Sequence, residues 1–142
     1  MGVLLGGLLV VNLPLSRRLI GLVMGFGAGV LFSAVAFELF AEAAASVARA
    51  VADRVAAGLA EGAMILVLGG DCTVELGTVA GASADNEDFG LIYIDFDTDL
   101  NTPLSVDDGA LDWMGVAHLL GLDDTVPVLT AIGPRTPLLR PD

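Results

Sequence analysis

The sequence predicts an α/β domain with a partial parallel sheet over residues 44–142. An apolar helical segment of the membrane-crossing kind precedes it, over residues 1–43. Three observations carry this reading. A run at Leu19–Phe37 has no charge at all. Two short apolar runs, Met64–Leu68 and Leu91–Ile94, break off into acidic residues. Stretches of helical periodicity separate the apolar runs.

The N-terminal segment comes first. LIGLVMGFGAGVLFSAVAF, Leu19 to Phe37, is about the length of 20 residues that a helix needs to cross a bilayer core. Its glycines would be costly in a soluble helix and are common in membrane helices. Gly21, Gly25 and Gly29 recur every fourth residue and make one smooth face for close helix approach. A shorter apolar stretch, Met1 to Leu15, precedes it and is broken by Asn12 and Pro14. Arg17 and Arg18 lie between the two and would place that short loop on the cytoplasmic side. The apolar residues ahead of the arginines argue against a cleavable leader. PLSRRLIGLVMGFGAGVLFSAVAFELFAEA, Pro14 to Ala43, resembles the start of ZIP-type metal transporters, with Glu38 and Glu42 matching an acidic turn. That resemblance implies a membrane hairpin over residues 1–43. It does not extend to the family's metal-carrying helices, so transport by this chain alone is not expected.

Beyond residue 44 the character changes. Val47, Val51, Val55 and Leu59 fall on one helical face, and Gly62 is a plausible stop. Met64–Leu68 reads as a strand buried on both faces. It ends in Gly69-Gly70-Asp71-Cys72, and residues 73–82 suit a short helix. Leu91–Ile94 reads as a second buried strand. Residues 110–121 suit a helix that Asp108 would cap, and Val126–Ile132 reads as a third strand. Strand, helix, strand, helix, strand argues for right-handed crossovers and a parallel sheet.

In such a sheet the carboxyl ends of the strands share one edge, where ligands bind. Asp71 and Cys72 follow one strand; Asp95, Asp97 and Asp99 follow another. Alternate residues on an extended chain point the same way. A divalent cation at their focus would remove the repulsion among the three aspartates. Oxygen ligands suit Mg²⁺, Mn²⁺ or Ca²⁺, and a Cys72 thiolate would shift the preference toward softer metals. A solvated acidic turn is the competing reading. An EF-hand is excluded, because Leu100 and Val106 stand where its glycine and bidentate glutamate belong. IDFDTDL also resembles the Asp-x-Asp motif of haloacid-dehalogenase-type phosphatases, with Asp95 as nucleophile. That family needs a downstream lysine, which this chain lacks.

Composition narrows the partners. Eighteen acidic residues face six arginines and no lysine, for a net charge of −12. Residues 1–37 hold only Arg17 and Arg18, and sixteen of the 18 acids follow residue 44. Nucleic acid is excluded, because phosphate binding needs clustered basic residues. A metal ion or a guanidinium compound is compatible, and so is mere solubility. The single cysteine, Cys72, rules out an intrachain disulfide and fits a cytoplasmic setting for residues 44–142.

Three ordered pieces, VLGGDCTVELG (Val67–Gly77), IDFDTDLNTP (Ile94–Pro103) and DGALDWMGVAHLLG (Asp108–Gly121), resemble the first half of the ureohydrolase family of arginases and agmatinases. The resemblance covers residues 45–142. It implies a three-layer α/β/α fold with two Mn²⁺ ions at the sheet edge, where a metal-bridging hydroxide releases urea from a guanidinium carbon. Carried over by motif, Cys72 stands in place of a histidine ligand. Asp95 and Asp99 match carboxylate ligands, and Asp97 replaces another histidine. Asn101 matches a substrate-holding asparagine, and Asp112 replaces a proton-shuttling histidine. The expected metal ligands are therefore Cys72, Asp95, Asp97 and Asp99. Asn101 and Asp112 are the expected substrate contacts, and no catalytic residue is assigned. His118 sits mid-helix among apolar residues and reads as a packing or surface histidine. The family's later Asp-x-Asp pair is missing from the resemblance, so at most a partial metal site is expected, in a truncated domain. A partial sheet would leave open edges that favour homo-oligomers. The alternatives are a membrane-associated fragment with a passenger domain, or a non-catalytic metal-binding domain.

Overall fold

Alanine, leucine and valine dominate Arg17–Ala60, and the segment forms one helix, α1, in the computed structural model, which describes residues 16–86 and 88–140. The expected first apolar stretch, residues 1–15, lies outside the described residues. The chain divides into two units, Met1–Glu38 and Leu39–Asp142.

In the first unit the described residues are the N-terminal half of α1. Its side chains are exposed on every face; Leu22, Phe26 and Phe32 are each more than two-thirds exposed. No part of its most apolar 18-residue window is buried. A helix apolar all round belongs in a core or a bilayer.

In the second unit α1 ends at a glycine. Gly62 has φ +75°. The Ala63 N–H reaches the Gly58 carbonyl at 3.0 Å and the Gly62 N–H reaches Leu59 at 2.9 Å. That is the Schellman pattern, which closes the last carbonyls of a helix. Only half of the valine row expected from the spacing lies on the buried face of α1: Val55 is buried and Val51 half-buried. Val47 and Leu59 are exposed, whereas Ala45, Ala48 and Val55 are buried. The physical reason lies in the partner helix, α2 (Val74–Ala82). Its Gly77 and Gly81 press on the Ala48 and Ala52 carbonyls, an approach that only small side chains on both helices permit. The core continues through Leu76, Val79 and Ala80 to Leu111, Met114, Leu119, Leu129 and Leu138.

A 3₁₀ turn, Leu111–Met114, leads into α3 (Gly115–Leu119). Asp108 does not cap it; its carboxylate accepts the Ala110 N–H at 3.0 Å, and Ala110 holds the cap position. Gly121 (φ +61°) closes α3 with the same pattern as Gly62, the Leu122 N–H reaching Ala117 and its own N–H reaching His118. His118 is buried. Its Nδ1 lies 2.6 Å from the Met114 carbonyl, and its Nε2 accepts the Val126 N–H at 3.1 Å. The ring is therefore a neutral packing group that ties α3 to the next element, with burial holding its pKa below the ordinary value.

The parallel sheet is not formed. No strand exists among the described residues. Val126–Ile132 contains instead a short helix, α4 (Pro127–Thr130), with proline in its first turn. The fixed φ of Pro127 is already helical and its missing N–H costs nothing there. Residues 64–68 and 91–94 are irregular chain with strand-like alternation of burial. Ile65 and Val67 are half-buried between exposed Met64, Leu66 and Leu68, and Tyr93 is half-buried between exposed Ile92 and Ile94. Parallel strands are stable only with neighbours on both sides and cover on both faces. Here each run is covered on one face only, and no backbone ladder joins the two. The three-layer expectation for residues 44–142 is replaced by short helices packed on the C-terminal half of α1.

Candidate metal centre

The site is assembled by two turns. The first precedes α2: the Asp71 carboxylate accepts the Thr73 N–H at 2.8 Å and the Thr73 hydroxyl at 2.5 Å. This local bond fixes the turn that carries Cys72 just before the start of α2. The second follows Ile94. Asp99 takes φ +49°, in the left-handed region. Its carbonyl accepts the Ala117 N–H of α3 at 3.0 Å, and the Asn101 N–H donates to the Trp113 carbonyl at 3.2 Å. These bonds pin the aspartate loop to α3 and satisfy a donor in its first turn.

Cys72, Asp95 and Asp99 converge. One ligand atom from each lies within 4.8 Å of the others. The Cys72 thiol donates to Asp95 Oδ2 at 3.5 Å. The Tyr93 hydroxyl donates to Asp99 Oδ2 and lies 3.2 Å from Asp95 Oδ2. Asp99 is buried, at 2% exposure, and Asp95 is exposed. The donor set is one thiol and two carboxylates, which suits a single divalent cation of borderline softness.

The electrostatics describe a site short of positive charge. Burial, the bond to Asp95 and the Asp99 charge push the Cys72 thiol up to about 11. Burial and the bond to Asp99 raise the Tyr93 hydroxyl as well. Asp95 is held low, first by the Phe96 N–H and then by Tyr93. Glu75, in the first turn of α2, is raised to about 7 by burial and then by the Asp99 charge. Its Oε1 is buried without a hydrogen-bond partner and packs against Gly115, where no side chain would fit. A cation would reverse these trends, because the ion is the largest local charge in such a site.

Asp97 stays outside the group; its carboxylate accepts the Thr98 N–H at 2.7 Å. The alternation argument put three aspartates on one face, but the chain bends at residues 95–97. The Asn101 side chain accepts the Ser105 hydroxyl at 3.2 Å. Asp112 lies in the 3₁₀ turn before α3. Neither belongs to the group. Sequence reasoning missed Glu75 and Tyr93. The signals were there: a glutamate among the apolar positions of VELGTVA, and the only tyrosine of the chain inside an apolar run.

The comparisons with known proteins decide the family. The chain matches the family described as "Arginase family" over residues 29–136. The chain belongs to the arginase family. Arginase of Glaciozyma antarctica is 40% identical over 79 residues, covering 56% of this chain and 23% of that protein. Arginase-1 of Homo sapiens is 39% identical over 70 residues, 49% of this chain and 22% of that protein. Arginase of Bacillus caldovelox is 38% identical over 77 residues, 54% and 25% respectively. The matched region thus spans about a quarter of the length of each of these relatives. No solved structure matches the chain. The arginase-family match begins at residue 29, inside the apolar run rather than after it. The family is metal-dependent, and the group at Cys72, Asp95 and Asp99 falls within the matched residues.

Proposed function

We propose that this chain is a metal-dependent, ureohydrolase-type hydrolase of the C–N bonds in guanidinium compounds, and that it holds one divalent cation, Mn²⁺, at Cys72, Asp95 and Asp99. The convergence of these three donors within 4.8 Å carries the proposal. Bound there, the metal would supply a hydroxide at neutral pH, which water alone does not. The protein's own groups do the rest. Asp95 and Asp99 hold the ion, and the Tyr93 hydroxyl fixes the orientation of Asp99. The acidic field of Asp95, Asp99 and Glu75 draws in a guanidinium cation. Of the four expected ligands, Asp97 is not gathered with Cys72, Asp95 and Asp99, so the proposal is made for one ion held by three residues.

Titration of the full chain with Mn²⁺ tests the site. One ion per chain is expected, with binding abolished in the Asp95→Ala, Asp99→Ala double variant. Unchanged affinity in that variant contradicts it. Urea release from arginine or agmatine above a metal-free control tests the chemistry separately.

A second reading concerns the first unit. The full exposure of its apolar window supports insertion of Leu19–Phe37 in a membrane. Alkaline carbonate washing should leave the chain in the membrane pellet. Its release to the supernatant counts against a spanning helix.

A further inference from the structure

One cleft adjoins the acidic group through Tyr93, which lines the cleft and donates to Asp99. It measures about 760 Å³, within the range of small-molecule sites. Its lining is mostly polar and includes Arg135 and Arg140, with aromatic and aliphatic groups from Phe89, Tyr93, Leu120 and Leu138. Two of the chain's six arginines thus meet in one cavity of a protein carrying a net charge of −12. Arg135 is half-buried and stacked over the Phe89 ring, 5.9 Å from guanidinium carbon to ring centre. Among the described residues its hydrogen bond is from Nη1 to the Ser83 carbonyl at 3.4 Å, which leaves most of its five donors unused. The ring contact and that bond hold the guanidinium beside the cleft. Asp88 also lines the cleft and limits the anionic charge it would accept.

We propose that this cleft binds a small organic carboxylate with an aromatic or apolar body. The carboxylate would be held by Arg135 and Arg140, with the body between Phe89, Tyr93 and the leucines. A guanidinium fork matches a carboxylate with two parallel bonds. The Phe89 and Tyr93 rings on an otherwise largely polar lining favour a carbon skeleton over a compact, strongly hydrated anion. The site is independent of the metal reading, although Tyr93 walls the cleft and also donates to Asp99.

The test uses the full chain in neutral detergent with a chelator present, so that the metal site plays no part. Benzoate, benzamide and inorganic phosphate are the probes, followed by calorimetry or ligand-observed NMR. Benzoate should bind saturably, and neutral benzamide at least about tenfold more weakly, since charge-assisted bonds are roughly twice as strong as neutral ones. Arg140→Gln, at an exposed position, should weaken benzoate at least about threefold, and Arg135→Gln further. Equal binding of benzoate and benzamide, or no effect of Arg140→Gln, overturns the proposal. Phosphate binding as tight as benzoate overturns the assignment to an apolar carboxylate.

Discussion

Glu75 is the residue whose environment departs furthest from what its type prefers. A carboxylate oxygen buried without a partner, facing Asp99 and packed on Gly115, costs stability whenever it is ionised. Its pKa is about 7 in the folded chain against 4.5 unfolded. A raised folded value means its contribution is fully present below about 4.5 and lost as pH rises through 7. Glu75→Gln, measured by thermal melting in chelator, should therefore match the unaltered chain at pH 4.5 and exceed it at pH 8. An equal difference at both pH values would mean that the carboxyl is not desolvated. His118 acts in the opposite direction. Its folded pKa is depressed, so its contribution is present above the unfolded value of 6.5 and lost as pH falls below it. His118→Ala should accordingly cost more at pH 7.5 than at pH 5. Neither residue announced its role in the sequence by charge count alone. The apolar setting of Glu75 in VELGTVA hints at its burial, but its packing on Gly115, forty positions away in the chain, is not a local signal.

At the scale of elements, helix pairing rests on small residues. Gly77 and Gly81 let α2 reach the backbone carbonyls of α1 at Ala48 and Ala52. Gly77→Ala would gain helix propensity of up to about 1 kcal/mol. The methyl would collide with the Ala48 carbonyl, and overpacking of that kind costs about 1–3 kcal/mol. Backbone on the receiving side cannot rotate away, so the collision should win. The variant should melt at lower temperature, and an unchanged or raised midpoint would refute the packing. This contact explains why helical spacing located α1 yet placed its buried face only in part. Val51 and Val55 of the valine row do face α2, but closeness of approach brings Ala45 and Ala48 into the core in place of Val47 and Leu59. The stop at Gly62 was legible, because a glycine adopts positive φ at a helix end without strain. Val126–Ile132 was not legible as a helix. Its β-branched residues favour strand, and Pro127 is the one residue of the run that points to a helix start.

At the scale of the molecule, the sequence conveyed which residues come together better than it conveyed the architecture that brings them there. Cys72, Asp95 and Asp99 were read as neighbours on a sheet edge and do meet, but two pinned turns and α3 bring them together instead. Periodicity reports which side of a segment is apolar. It does not report whether partners exist for its backbone, and the parallel sheet failed on that point. Met64, Leu66, Leu68, Ile92 and Ile94 are exposed as a result, which leaves the second unit with a core built largely from alanine and leucine. A fold of this kind should depend heavily on whatever neutralises its acidic cluster. The single tryptophan, Trp113, reports on that region directly, since its carbonyl holds the aspartate loop through Asn101. The most direct measurement is the unfolding of the full chain in neutral detergent, followed by Trp113 fluorescence with and without Mn²⁺. A ligand bound only by the folded state at a hundred times its Kd adds about 2.7 kcal/mol. The midpoint should rise with Mn²⁺ in the unaltered chain and stay fixed in the Asp95→Ala, Asp99→Ala variant. A midpoint indifferent to Mn²⁺, or one that rises equally in both, would contradict a cation site at Cys72, Asp95 and Asp99.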